Sequence, residues 1–147
     1  MTKSTLEIVG QLPAGAYYVG DPCYLFSHDE YGEMRWRAFC AALAAVEGDA
    51  THGVMLEFEG HKVFVSSTNT GDGIYTDNRG GMYSVDAGMI GAVPEALLGR
   101  HGFRGLTHRT QFAQDFKCGA DVGRWRQDKN GRSIAKRIRI GHITIKT

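Results

Sequence analysis

The chain is poor in the residues that usually announce a function. Its 147 positions include only 3 prolines, 3 cysteines and 2 tryptophans. The cysteines, Cys23, Cys40 and Cys118, are an odd number without a CxxC pair. That argues against a disulfide scaffold or a zinc ribbon and for a reducing compartment. No apolar run approaches the ~18 residues of a membrane span. The opening stretch MTKSTLEIVGQLPAG holds no apolar block of signal-peptide length. These absences lead to the expectation of a soluble, cytoplasmic protein with no membrane partner.

Catalytic fingerprints are missing as well. There is no GxSxG elbow, HExxH, P-loop or Rossmann glycine pattern, and the 6 histidines form no HxH or HxxxH pair. No cofactor, metal or catalytic residue is therefore assigned. What the chain does have is 42% apolar residues, 22% charged residues and 20 glycines. These are globular values, and the length suits one domain, residues 1–147, with a single ordinary core.

The formal net charge of +1 conceals an asymmetry. Residues 1–99 carry 13 acids against 5 Lys/Arg, net −8, and residues 100–147 carry 3 acids against 12 Lys/Arg, net +9. The two parts could neutralise each other within one fold or across a homo-oligomer. Alternatively, the basic third could meet phosphates or nucleic acid, or the acidic part a basic partner.

Most apolar runs are short and end at a glycine, which predicts strands joined by tight turns. LEIV, AYYV, GVMLEFEG and HKVFVSST are such runs. In the tail, Arg137 and Arg139 alternate with Ile138 and Ile140, and Ile143 and Ile145 then take the opposite parity. The slip predicts a bulge or bend at Gly141-His142. One segment differs. Trp36, Phe39, Cys40, Leu43 and Val46 recur at helical spacing, Ser27 and Glu30 fit a capping box, and Gly48 suits an end. The expectation is an α+β fold: a β-rich twisted antiparallel sheet or partly open barrel, with one long amphipathic helix over about 29–46. Pro94 should open a one-turn helix.

Three glycine-rich loops concentrate polar chemistry. In GDPCYLF, Pro22 keeps Asp21 extended, so its carboxylate can accept amides of the following turn, while Cys23 is a nucleophile or a core thiol. SSTNTGDGIYTDNRGG places Thr70 and Asp72 where an anion cradle or a plain hairpin turn would form. YSVDAGMIGAVP puts Asp86 at a strand end. If Asp21, Asp72, Asp77 and Asp86 converge they make an acidic pocket; otherwise they are separate turn residues. A fourth segment, GRHGFRGLTHRTQF, gathers Arg100, Arg104 and Arg109, which could grip a phosphate or form a solvated basic loop. Candidate ligand-binding residues are therefore Asp21, Tyr24, Thr70, Asp72, Asp86, Arg100, Arg104 and Arg109.

Through GAYYVGDPCYLF, TGDGIYTDNRGGMYSVDAGMIGAVP and FAQDFKCG…HITIKT, the chain resembles an uncharacterised family of small bacterial and phage proteins. Gly20, Asp21, Pro22, Cys23, Tyr24, Gly71, Asp72, Gly73, Asp86 and Gly88 stand at that family's motif positions. The resemblance implies a compact β-rich domain of phage or mobile-element origin, working in the host cytoplasm if phage-encoded, and implies no activity.

The function expected from all this is a non-enzymatic binding protein. It would sequester a small phosphate-bearing, nucleotide-like ligand or block a host protein. The alternative is a hydrolase or transferase using an acidic pocket of Asp21, Cys23 and Asp86, with or without a metal. A third reading is nucleic-acid binding through the basic C-terminal third.

Overall fold

A computed structural model of the chain describes residues 6–26, 32–46, 53–98, 107–121, 129–131 and 135–147. The first hairpin pairs no strands with each other: β1 (Leu6–Leu12) and β2 (Gly15–Gly20) part at Pro13 and enter different sheets. A single turn, α1 (Cys23–Phe26), and a second helix, α2 (Gly32–Ala44), follow. Next come β3 (Val54–Phe58), β4 (His61–Ser67), β5 (Gly73–Asp77), β6 (Met82–Val85) and β7 (Met89–Pro94). Pro94 then starts a 3-10 turn, Glu95–Leu97. The remaining strands are β8 (His108–Phe112), β9 (Phe116–Asp121), β10 (Arg137–Ile140) and β11 (Ile143–Lys146).

The strands form two antiparallel sheets, ordered β1-β9-β10-β11-β5-β6 and β3-β4-β7-β2-β8. This differs from a single twisted sheet, and neither sheet closes into a barrel. Alternation builds the layer between them. Val19, Phe64, Ile90 and Ala92 of the five-stranded sheet meet Tyr83, Cys118, Ala120, Ile138, Ile140 and Ile145 of the six-stranded one. The five-stranded sheet is covered on its other face too, where Phe39 of α2 packs with Phe26, Phe58, Val63, Val65 and Val93. That is why Val63, Phe64, Val65 and Ser66 are all buried in succession: over this stretch β4 has no solvent face. Along one side the sheets are joined by His108, whose Nε2–H donates to the Met82 carbonyl at 2.6 Å while its ring leans on Tyr83.

Two expectations need correction. The helix is shorter than 29–46: α2 ends at Ala44, where the last turn tightens and Val46 N donates to Leu43 O. Trp36, Phe39 and Leu43 still form its packed face, with Val46 packed on the same cluster just beyond the helix, so the periodicity was legible and the length was not. The capping residues Ser27 and Glu30, and Gly48, lie outside the described residues. The parity slip in the tail is neither a bulge nor a bend within one strand. Ile140 pairs with Ile143, so Gly141-His142 is a two-residue hairpin turn with Gly141 at φ 59°. The bulge lies in β1, where the register against β9 shifts between Ile8 and Gly10. There the Glu7 carbonyl crosses so near Gly119 that any Cβ at Gly119 would overlap it.

Candidate functional site

The GDPCY loop and the VDAG loop meet through one carboxylate. Gly20 closes β2 at φ 153°, where a side chain would run into Thr107. Asp21 follows, with no exposed surface. Its Oδ1 accepts the Cys23 amide at 2.9 Å, closing the turn that starts α1. Its Oδ2 accepts the amides of Asp86 at 2.9 Å and Ala87 at 2.7 Å. Both oxygens are thus committed to backbone, and Asp21 holds the end of β6 against the end of β2.

Asp86 itself is exposed, and its Oδ2 accepts the Tyr24 hydroxyl at 2.6 Å. The loop that carries Asp72 is pinned beside it. Thr68 N donates to Gly88 O at 3.0 Å, and the Thr68 hydroxyl donates to Gly71 O at 2.5 Å. The Tyr75 hydroxyl also reaches Gly71 O, at 2.7 Å, and accepts from Thr70 Oγ1 at 2.7 Å. Asp72 and Asp86 flank the paired ends of β5 and β6, where Gly73 opposes Val85. With Tyr24, Ile74 and Ser84 they line an open depression of about 540 Å³.

Three of the four loop aspartates therefore assemble, and Asp77 does not. Asp77 lies at the far end of β5, where its Oδ1 accepts the Arg79 and Gly81 amides and its Oδ2 accepts the Tyr83 hydroxyl. Partial burial works to raise its carboxyl pKa. The Tyr83 hydroxyl, the two amides and the His108 charge outweigh that and hold it below the ordinary aspartate value.

Beside Asp21 and Asp86, burial and the two carboxylates disfavour the ionised forms of the Cys23 thiol and the Tyr24 phenol. Burial, and then the charge and hydrogen bond of Asp21, push the Cys23 thiol far above the ordinary cysteine range, and the Ala87 amide does not offset them. Burial and the bond to Asp86 likewise raise the Tyr24 hydroxyl. A thiolate at Cys23 would need a basic neighbour, and the charges that act on it among the described residues are the acids Asp21 and Asp86. No group of three or more His, Cys, Asp or Glu side chains among the described residues is placed to hold a metal ion.

The basic members of the expected set lie elsewhere. Arg109, on β8, forms a two-pronged ion pair with Glu95, at 2.8 and 3.0 Å. Arg100 and Arg104 lie outside the described residues.

A cationic site that sequence reasoning reached only as a basic C-terminal third, without Lys117, lies on the outer face of the six-stranded sheet. Arg139 pairs with Gly119, and Lys117 lies two residues from Gly119 on β9, so the two side chains share a face as diagonal neighbours. Arg139 Nε donates to the Gly141 carbonyl at 3.1 Å. Lys117, Arg139, the exposed His142, Gln111 and Gln114 line a depression of about 610 Å³. Asp115 is also on its rim, with one oxygen taken by the Ala14 amide at 2.9 Å. Further along the face, Arg137 is paired with the buried Asp121 at 2.8 Å, and Lys146 is exposed opposite Arg137. The alternation in KRIRI signals a strand with one basic face. Only the pairing with β9 brings Lys117 to it.

Comparison of the chain with family models, curated proteins and solved structures returned no match.

Proposed function

We propose that the chain is a non-catalytic binding protein that takes a small phosphate-bearing ligand between β9 and the β10–β11 turn. The observation that carries this reading is the placement of Lys117 and Arg139 on one outward face beside His142, at the rim of an open depression. Arg139 uses Nε on Gly141, and the rest of its guanidinium has no partner among the described residues. A guanidinium and an ammonium at diagonal positions on one sheet face can share the oxygens of one phosphate group.

Phosphate is a poor match for the other depression, where Asp72 and Asp86 would repel it. A hydrolase or transferase built on Asp21, Cys23 and Asp86 has less support. Asp21 is occupied by backbone amides and Cys23 is held as the thiol. The test is thermal shift and calorimetry with inorganic phosphate, AMP, ADP and ATP. The wild type should be stabilised by at least one of these, the Lys117→Ala/Arg139→Ala variant by none, and the Asp72→Ala/Asp86→Ala variant as strongly as wild type. No stabilisation by any of them, or an undiminished response in the Lys117/Arg139 variant, would sink the reading. Nucleic acid is distinguished by length: oligonucleotide binding that weakens steeply with salt and with Lys146→Ala marks a polyanion tracking the whole face.

A further inference from the structure

The depression beside Lys117 and Arg139 is larger than its cations require. Its volume of about 610 Å³ falls within the roughly 300–1,000 Å³ of sites that hold whole small molecules. A phosphate on the two cations would fill only one end. The floor is built without a ligand. Gly141 N–H donates to the Lys117 carbonyl at 2.8 Å, which holds the β10–β11 turn against β9. A Cβ at Gly141 would stand 2.8 Å from Phe112 and 3.2 Å from Phe116, so the turn rests directly on these rings. They stack with centroids 3.7 Å apart. On the other side, the bond from the Ala14 amide to Asp115 Oδ1 ties down the loop between β8 and β9.

The walls away from the cations are polar. Gln111 and Gln114 are exposed, and neither carboxamide bonds to another described residue. Asp115 Oδ2 is also uncommitted among the described residues. A carboxylate is out of place in a site for bare phosphate, because it repels the ion. It suits a ligand whose phosphate is joined to hydrogen-bond donors. Carboxamides donate and accept, a carboxylate accepts, and a hydroxyl does both, so this wall pairs with hydroxyl groups. A nucleobase asks for something else, an open ring face to stack on. Phe112 and Phe116 are only 4% and 6% exposed, and the His142 ring leans on Phe112 at 52°.

We propose that the phosphate bound here is one end of a polyhydroxylated ligand, a sugar phosphate. Its hydroxyls would lie on Gln111, Gln114 and the free oxygen of Asp115. The inference rests on the phosphate reading above and narrows it: the site recognises what the phosphate is attached to, and that is a sugar, with no contribution from a base. A nucleotide would then bind only through its ribose phosphate.

The experiment is calorimetry on the full chain with inorganic phosphate, ribose 5-phosphate, glucose 6-phosphate and AMP. At least one of the two sugar phosphates should bind about tenfold or more tightly than inorganic phosphate, and AMP no more tightly than ribose 5-phosphate. Gln111→Ala/Gln114→Ala should bring the preferred sugar phosphate down to the level of inorganic phosphate. Inorganic phosphate itself should bind this variant as it binds wild type, which shows that the fold and the cations are intact. Asp115→Asn keeps an acceptor for the Ala14 amide; it should weaken the sugar phosphate and bind inorganic phosphate at least as well as wild type. A smaller preference for both sugar phosphates overturns the inference and leaves the phosphate reading standing. AMP binding more tightly than ribose 5-phosphate, or undiminished sugar-phosphate binding in the double variant, does the same. If none of the four binds wild type, the phosphate reading and this inference fall together.

Discussion

Asp21 Oδ2 accepts the amide of Ala87 at 2.7 Å across 66 positions of sequence. With the Asp86 and Cys23 amides on the same carboxylate, this bond ties two sheets together, since β2 belongs to one and β6 to the other. The joint also sets what lies around it. Tyr24 follows on α1 and places its hydroxyl on Asp86, so the exposed carboxylate at the loop end rests on the buried one. A fully buried acid that accepts three amides is well compensated for its lost hydration, and removing it leaves three donors without partners.

Asp21→Asn should accordingly be a stability mutation. An asparagine has one acceptor oxygen where Asp21 uses two, so its NH2 must face either the Cys23 amide or the pair from Asp86 and Ala87. The expected cost is about 2–4 kcal/mol, with Asp21→Ala costing as much or more. Tyr24→Phe should cost only ~1 kcal/mol, because it frees a carboxylate that water can reach. Urea unfolding of the three variants measures the order. An Asp21→Asn protein as stable as wild type would mean that the carboxylate is not the joint described.

How much of this was legible beforehand depends on separation along the chain. Strands punctuated by glycine, the 3-10 turn after Pro94 and the helical face of Trp36, Phe39 and Leu43 are local patterns and could be read directly. Asp21, Tyr24, Asp72 and Asp86 could be named from their turns, but their meeting depends on β2 and β6 ending side by side. Asp77 has the same turn chemistry and closes its own loop, because Tyr83 and the Gly81 amide lie within reach. Arg109 looked like a phosphate ligand until β8 set it beside Glu95. Lys117 drew no attention in FKCG, because only cross-strand register makes it a neighbour of Arg139. The slip at Ile143 predicted a bulge or a bend at Gly141-His142, but it comes from a hairpin turn that sets Ile143 opposite Ile140 on a separate strand.

Cys23 should be slow to react. Its thiol is pushed far above the ordinary cysteine range by burial and by Asp21, so almost none is thiolate near neutral pH. Cys118 is fully buried and its thiol is raised to about 12. Burial also raises Cys40. Iodoacetamide at pH 8 should therefore modify the native protein well below the rate for a free cysteine peptide, with all three thiols reacting at the ordinary rate in urea. Mass spectrometry of the tryptic peptides assigns each site. Rapid, selective labelling of Cys23 in the native state would restore it as a candidate nucleophile.

Asp77 should couple stability to acid. Its burial works to raise the carboxyl, but the Tyr83 hydroxyl, the Arg79 and Gly81 amides and the His108 charge leave it below its ordinary value. The unfolded chain therefore binds the proton more readily than the folded one, and stability falls where that difference is titrated. The contribution is fully present above the unfolded carboxyl's pKa of ~3.9 and is lost as pH drops through the folded value. Asp77→Asn removes the titrating group and keeps one acceptor oxygen for the Arg79 and Gly81 amides. At pH 5 to 7 the variant should be less stable than wild type by ~1 kcal/mol or less, because the site is only half-buried and solvent screens the charge. On acidification the two unfolding curves should converge, since the protonated wild-type carboxyl is then no better an acceptor than the amide. Urea midpoints collected from pH 7 down to pH 2.5 follow the gap. A gap that is constant or grows in acid would mean that the loop is held by geometry that the Asp77 charge does not influence.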